Sequence, residues 1–574
     1  MATRYWVGGT GTWDASNTTN WSATSGGASG ASAPVAADIV IFDSLSGTGT
    51  CTTANGSVCT TATLNTSTLA LTLGANHTMA GTFTLTLGAL DLGSFTLTCL
   101  TFSSNNANNR SIAFGTGNIT ITGNGATIWG FNTVTGFSYT GTPTVNATYS
   151  GATGTRTFNH GGTAGATESN VLNFNISAGT DIVSLASNFS VKNLNFTGFS
   201  GSITNSVKVV YGNLTFSSGM TLTAGTSAFF FSATSGIQLV TTNSKTLDFP
   251  ITQNGVGGTV QLQDNLTMGS TRTYTLTAGD LHINNQTLST GLFSSSNSNT
   301  RTIDFKSGNI TVTGSGATVY TTSTATNLTI LGTPVVNLTY SGSTGTRTIT
   351  SATNAGAFTS LPTFNVSAGS DIVLFTNTST TGCLSLNFTG FTGTCSSLPR
   401  SFVNNLTLVS GMTLTNLGNI TFVGTSGTQQ ITTAGKTFDF AITFNGIGST
   451  FAFQDALTQA LTRNFIITNG TVQLKNGVTS TVGAFATSGT NQKFLQSTTP
   501  GSTATLSQAS GTVNASYLTI QDITAIGGAT FNADIDQSNV DAGNVDGWDF
   551  GISPIVGGAE YTYSMRSFTQ SRRF

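Results

Sequence analysis

Asn213-Leu-Thr-Phe216 opens a series of short alternating segments, and the series has a period. Strand-like segments follow a turn at Asn213, Ile237, Thr259 and Leu281, which lie 24, 22 and 22 residues apart. Further along, Asn405, Thr428, Ser449 and Thr471 repeat the pattern at 23, 21 and 22. Polar–apolar alternation buries one face of a strand, and Gly, Asn and Ser between the segments read as turns. About 22 residues with two or three short strands is one coil of a parallel β-solenoid, in which each coil completes the backbone hydrogen bonding of its neighbour at a spacing of about 4.8 Å. The expected fold is all-β: an elongated parallel β-helix. The alternative is a tandem row of β-sandwich or β-prism units. Asn and Thr at the turns are expected to stack in ladders that satisfy one another.

A longer period encloses the short one. Residues 110–280 are written again at 301–471, with Tyr149-Ser-Gly-Ala-Thr-Gly-Thr-Arg156 recurring as Tyr340-Ser-Gly-Ser-Thr-Gly-Thr-Arg347, and Lys245-Thr-Leu-Asp-Phe249 as Lys436-Thr-Phe-Asp-Phe440. The offset is 191 at most anchors and 190 or 192 at a few, so single residues are gained or lost in turns while strands are kept. Gly88-Ala-Leu-Asp-Leu92 begins a partial third copy. The expected organisation is a Trp-rich cap or attachment region at 1–45, first coils at 46–109, repeat blocks at 110–300 and 301–490, terminal coils at 491–550, and an aromatic, basic docking tail at 551–574.

Composition narrows the function. Only 7% of the 574 residues are charged and the net charge is −2, so no strong field draws nucleic acid or an anionic membrane. No apolar run is long enough for a transmembrane helix, and the first residues lack the apolar core of a secretory signal. Five cysteines, at 51, 59, 99, 383 and 395, form no metal or disulfide pattern and are expected as buried or free thiols.

Catalytic chemistry has a thin supply of acids. Asp181 and Asp371, Asp248 and Asp439, and Asp264 and Asp455 are repeat equivalents, and a carboxylate copied with the scaffold is expected in a turn or ladder. Asp534, Asp536, Asp541, Asp546 and Asp549 are not copied, but they lack a calcium-loop spacing and read as solvated turns. A glycosidase pair drawn from Asp534 and Asp536 is the enzymatic alternative. His77, His160 and His282 are expected in exposed loops. No catalytic residue, cofactor or metal is expected.

Two stretches carry a resemblance. Tyr5-Trp-Val-Gly-Gly-Thr-Gly-Thr-Trp13 with Thr19-Asn-Trp21, Pro34 and Ala37-Asp-Ile-Val-Ile-Phe42, and Gly543-Asn-Val-Asp-Gly-Trp548 near the other end, resemble the opening and closing coils of phage tail-fibre and appendage-like β-helix proteins. The resemblance covers about a seventh of the chain. It implies a structural virion protein: a tail fibre, spike or appendage on the virion surface, extracellular after lysis. Such a protein contacts other virion proteins and host surface polysaccharide, with a homotrimer as the expected assembly. A capsid decoration or head fibre, and a polysaccharide depolymerase, are the alternatives. The expected anchoring or inter-subunit residues are Trp6, Trp13 and Trp21 at one end and Tyr561, Tyr563, Arg566, Phe568, Arg572, Arg573 and Phe574 at the other.

Overall fold

The computed structural model describes residues 1–551, apart from 165, 187, 205, 207, 352–360, 377–381, 416–417 and the side chains of 162–164. It contains two compact units, one formed by Met1–Arg400 with Gly411–Thr415, the other by Ser401–Ser410 with the residues from Asn416 onward. Both are parallel β-solenoids.

In the first unit each coil has three strands, and each strand pairs in parallel with the strand three places on. One face begins at Thr3–Trp6 and continues through Ile39–Phe42, Thr61–Leu73, Thr82–Asp91, Thr101–Ser103, Trp129–Thr133 and Thr155–Ala164. Another runs unbroken from His77–Thr78 to Leu328–Leu331. A third face lies between them. Inward positions are apolar and buried, as alternation requires, while outward positions are Thr, Ser and Asn. Coils average near 22 residues but range more widely. Phe83 stands over Phe102 after 19 residues, Phe102 over Trp129 after 27, and Trp129 over Phe158 after 29. The extra residues enter at the corners, where the ladder does not constrain length.

The expected amide ladders are present. Asn146 Nδ2 donates to Asn118 Oδ1 at 3.1 Å and Asn175 Nδ2 to Asn146 Oδ1 at 3.0 Å. The copied set Asn309, Asn337 and Asn365 repeats this at 3.3 and 2.9 Å. Each amide both donates and accepts along the stack, so half-buried polar groups remain paired.

The two copies do not share faces. Ile119 and Ile303 lie on one unbroken sheet, eight pairing steps apart, through residues 145, 174, 194, 214, 240, 262 and 281. Ile119 recurs as Ile310, which sits on the next strand and the next face. The 191-residue block is therefore eight and one-third coils, and the second copy is turned by one face. The stacked rings Phe83, Phe102 and Trp129, with centroids 5.5 and 4.7 Å apart, recur as Tyr274, Phe293 and Tyr320 at 6.1 and 5.5 Å on a different sheet.

The second unit keeps the parallel pairing. Ile442–Phe453 and Asn464–Leu474 each bend round a corner and pair along two faces. Thr437–Phe438, Thr458–Gln459, Thr479–Val482, Ala504–Gln508 and Ile523–Gly527 form a further face. Trp548 packs on Phe531 and Phe485 at the last coils.

Charge is scarce, and much of it is inside. Arg110, Arg156, Lys208, Arg301, Arg347 and Lys493 are buried. Four of them share one device. Arg110, Lys208, Arg301 and Lys493 each begin a strand and donate to the backbone carbonyl four residues earlier, at Asn106, Thr204, Asn297 and Gly489. The cation thus closes the corner loop that leads into its own strand. Arg156 instead grips Asp181 with two bonds of 2.8 Å, both side chains being fully buried. Its Nη2 also donates to Ala178 O, and its guanidinium lies over Tyr149 and Phe199. Arg347 and Asp371 reproduce every contact. Gly179 (φ +102°) and Gly369 (φ +99°) roof these pairs: a Cβ there would approach the guanidinium within 2.7 and 2.8 Å. Asp181 and Asp371 are thus ion-pair partners rather than turn or ladder residues.

His77 and His160 correct the exposed-loop expectation. His77 is buried, its Nδ1 2.9 Å from Ser57 Oγ and its ring 4.8 Å from that of Trp13. His160 is buried opposite Phe131. Burial holds their pKa values down to about 4 and about 3.

Two predictions follow from these buried groups. Arg156→Ala strands the Asp181 carboxylate and should cost about 3–5 kcal/mol; the urea midpoint followed by circular dichroism should fall well below that of a paired Arg156→Met/Asp181→Leu variant. For the histidines, the unfolded chain takes up protons near pH 6.5 while the folded chain resists until about pH 4 and about pH 3. Stability is therefore full above about pH 6.5 and falls as the pH drops toward 3; His77→Gln should flatten the upper part of that decline in urea midpoints measured against pH.

Candidate functional site: a groove at a broken face

The third face of the first unit is interrupted. Phe137–Thr140 pairs with Arg110–Ala113 below it and with no strand above it. The face resumes at Phe189–Val191, followed by Lys208–Val210, Phe229–Phe231 and Ile251–Gln253. In the coil between, the segment leading through Ala166–Ser169 takes the place of a strand. A groove of about 960 Å³ lies along this corner.

The register explains its lining. Val191, Val210, Phe231 and Gln253 are stacked partners, so the residues that follow them, Lys192, Tyr211, Ser232 and Asn254, fall one above another. With Tyr139 and Glu168 they span six coil levels, roughly 24 Å at the spacing of stacked strands. Ser232 Oγ donates to Asn254 Oδ1 at 2.7 Å. Val256, 67% exposed, adds an apolar edge.

Glu168 organises the groove. Lys192 Nζ donates to its Oε1 at 3.0 Å, while the Thr234 amide and hydroxyl donate to its Oε2 at 3.0 and 2.9 Å. Thr234 lies 66 residues on, so the carboxylate latches its loop across several coils. Partial burial opposes ionisation of Glu168, but the Thr234 amide, the Lys192 ammonium and the Thr234 hydroxyl outweigh it and lower the pKa. Burial, and then the negative charge of Glu168, raise the pKa values of Tyr139 and Tyr211, so both phenols stay protonated.

The second copy has exchanged this lining for apolar side chains. Tyr139, Lys192, Tyr211 and Ser232 correspond to Ile330, Leu384, Val403 and Val423, and no acidic residue occurs in 352–361, the counterpart of the Glu168 loop. A residue-by-residue comparison of the copies would have shown this. Attention to charge alone missed it because three of the four residues are uncharged.

The other candidate residues have structural placements. Trp6, Trp13 and Trp21 are buried and pack edge-to-face around Phe42, with Trp6 and Trp21 centroids 5.0 Å apart. Their rings form the interior of the cap. Tyr561, Tyr563, Arg566, Phe568, Arg572, Arg573 and Phe574 lie outside the described residues. Asp264 accepts from the Thr242 and Asn243 amides, and Asp455 from those of Thr433 and Ala434, as turn residues. Asp248 and Asp439 pair with Arg272 and Arg463. Asp541, Asp546 and Asp549 accept from nearby glycine amides in turns. Asp534 and Asp536 flank a 3₁₀ turn at Ile535–Gln537, and Asp534 makes no side-chain capping bond. The five cysteines are free and buried. Among the described residues, no group of three or more His, Cys, Asp or Glu side chains is placed to hold a metal ion.

No family model, curated protein or solved structure matches this chain. Its site is therefore read from geometry alone. If Glu168 is the latch, Glu168→Ala frees the Thr234 amide; hydrogen exchange at Thr234 should accelerate at least tenfold, with the buried strand Phe229–Phe231 unchanged.

Proposed function

We propose that the chain is a non-enzymatic structural protein of a bacteriophage virion, a tail fibre, spike or appendage that adheres to host surface glycans. The observation that carries the reading is the Tyr139–Asn254 groove. It joins aromatic rings to hydroxyl and amide groups on a scaffold of stacked strands. A sugar ring offers an apolar C–H face that packs on a phenol ring, and hydroxyls that exchange hydrogen bonds with Ser, Thr, Tyr and Asn. Pockets that combine apolar contact with a few convergent polar groups are the usual form of a ligand site.

The engagement of the copied carboxylates favours adhesion over cleavage. Asp181, Asp371, Asp264 and Asp455 hold arginines or backbone amides. The opening and closing motifs place the chain with virion appendages, and self-association as a homotrimer belongs to the same reading.

Two measurements test it. Immunogold microscopy of phage particles should label the virion, and absence of label from particles would sink the virion assignment. Purified chain should bind host surface polysaccharide without releasing oligosaccharide in a reducing-end assay. Release would favour the depolymerase reading, and label confined to the head would favour a capsid decoration.

A further inference from the structure

We infer that the Tyr139–Asn254 groove selects neutral, hydroxyl-rich oligosaccharide chains and rejects chains that carry carboxylates. This rests on the adhesive reading above and specifies its ligand.

The argument is one of charge balance. Of the side chains lining the groove, only Glu168 and Lys192 are charged. They are paired with each other at 3.0 Å, and both are partly shielded from water, at 22% and 37% side-chain exposure. The second carboxylate oxygen of Glu168 is occupied by Thr234. The groove thus presents no uncompensated cation. A uronate or sialate entering it would have to draw Lys192 away from Glu168, leaving that carboxylate half-buried beside a second anion. Like charges at close range in a partly desolvated site oppose one another strongly. A neutral chain meets no such opposition. It finds two protonated phenols, the Ser232–Asn254 pair and the hydroxyl of Thr234, all of which both donate and accept. Glu168 therefore has two effects, holding its loop across the coils and neutralising the cation that would otherwise recruit acidic glycans.

Position along the solenoid strengthens the assignment. The lining residues rise through six coil levels on one corner, so the groove runs parallel to the stacking direction and suits an extended chain better than a compact ligand. At the corresponding positions of the second copy the side chains are Ile330, Leu384, Val403 and Val423. The lining is thus not required by the scaffold, since a copy of the same coils does without it.

The test uses the full chain and two sets of biotinylated oligosaccharides: neutral chains of hexose and N-acetylhexosamine, and chains carrying uronate or sialate. Wild type should bind members of the neutral set and none of the acidic set. Tyr211→Ala should weaken neutral binding at least tenfold. Glu168→Gln, which leaves Lys192 uncompensated, should gain acidic binding at least tenfold. Circular dichroism of each variant confirms that the solenoid is intact. Preference of wild type for acidic chains would overturn the inference, as would neutral binding that neither substitution alters; in that last case adhesion stands and the groove is not its seat. Binding to neither set would overturn the adhesive reading itself, and capture of a peptide rather than a glycan in the groove would overturn both.

Discussion

Parallel pairing of each strand with its equivalent one coil on is the constraint from which the rest follows. It places a given inward position of one coil directly over that of the next, so the interior becomes a set of vertical files. A file must be filled by side chains that stack on their own kind. Phe83, Phe102 and Trp129 satisfy it with overlapping rings, and Asn118, Asn146 and Asn175 satisfy it with amides that donate forward and accept from behind. Backbone pairing also tolerates variable corners, which is why coils of 19 and 29 residues stack in register.

The buried cations obey the same constraint at its weak point. A corner that lengthens adds backbone carbonyls with no ladder partner, and a buried unpaired carbonyl is costly. Arg110, Lys208, Arg301 and Lys493 reach back into those corners, and Arg156 and Arg347 do so while also holding a carboxylate. A chain with so few charges places six of its 18 Lys and Arg residues in the interior. Low charge content therefore reflects both an uncharged surface and the use of charge as internal bracing.

Much of this was legible in the linear chain. Alternation at Asn213-Leu-Thr-Phe216 and its recurrence gave the strand, the coil and the parallel stack, because side-chain direction alternates with period two and a fixed spacing can only mean stacked equivalents. The copied aspartates were legible as scaffold. The groove was not, since Glu168 and Thr234 are 66 residues apart and meet only through the summed lengths of the coils between them. The histidines were misjudged for a related reason: in a chain this polar, a histidine in a Thr- and Asn-rich stretch reads as exposed, whereas the pleat turns His77 and His160 inward.

By itself the sequence determined the period, the inward pattern and the fact of duplication, since these depend on local alternation and on direct comparison of one stretch with another. The tertiary structure alone decided which face each copy occupies and where one face breaks. Those depend on accumulated coil length: 191 residues make eight coils and a third, and the remaining third turns Ile310 one face away from Ile119. The same accumulation stacks Lys192, Tyr211, Ser232 and Asn254 on one corner above Tyr139. No local rule carries that sum, because each corner contributes to it independently of its neighbours.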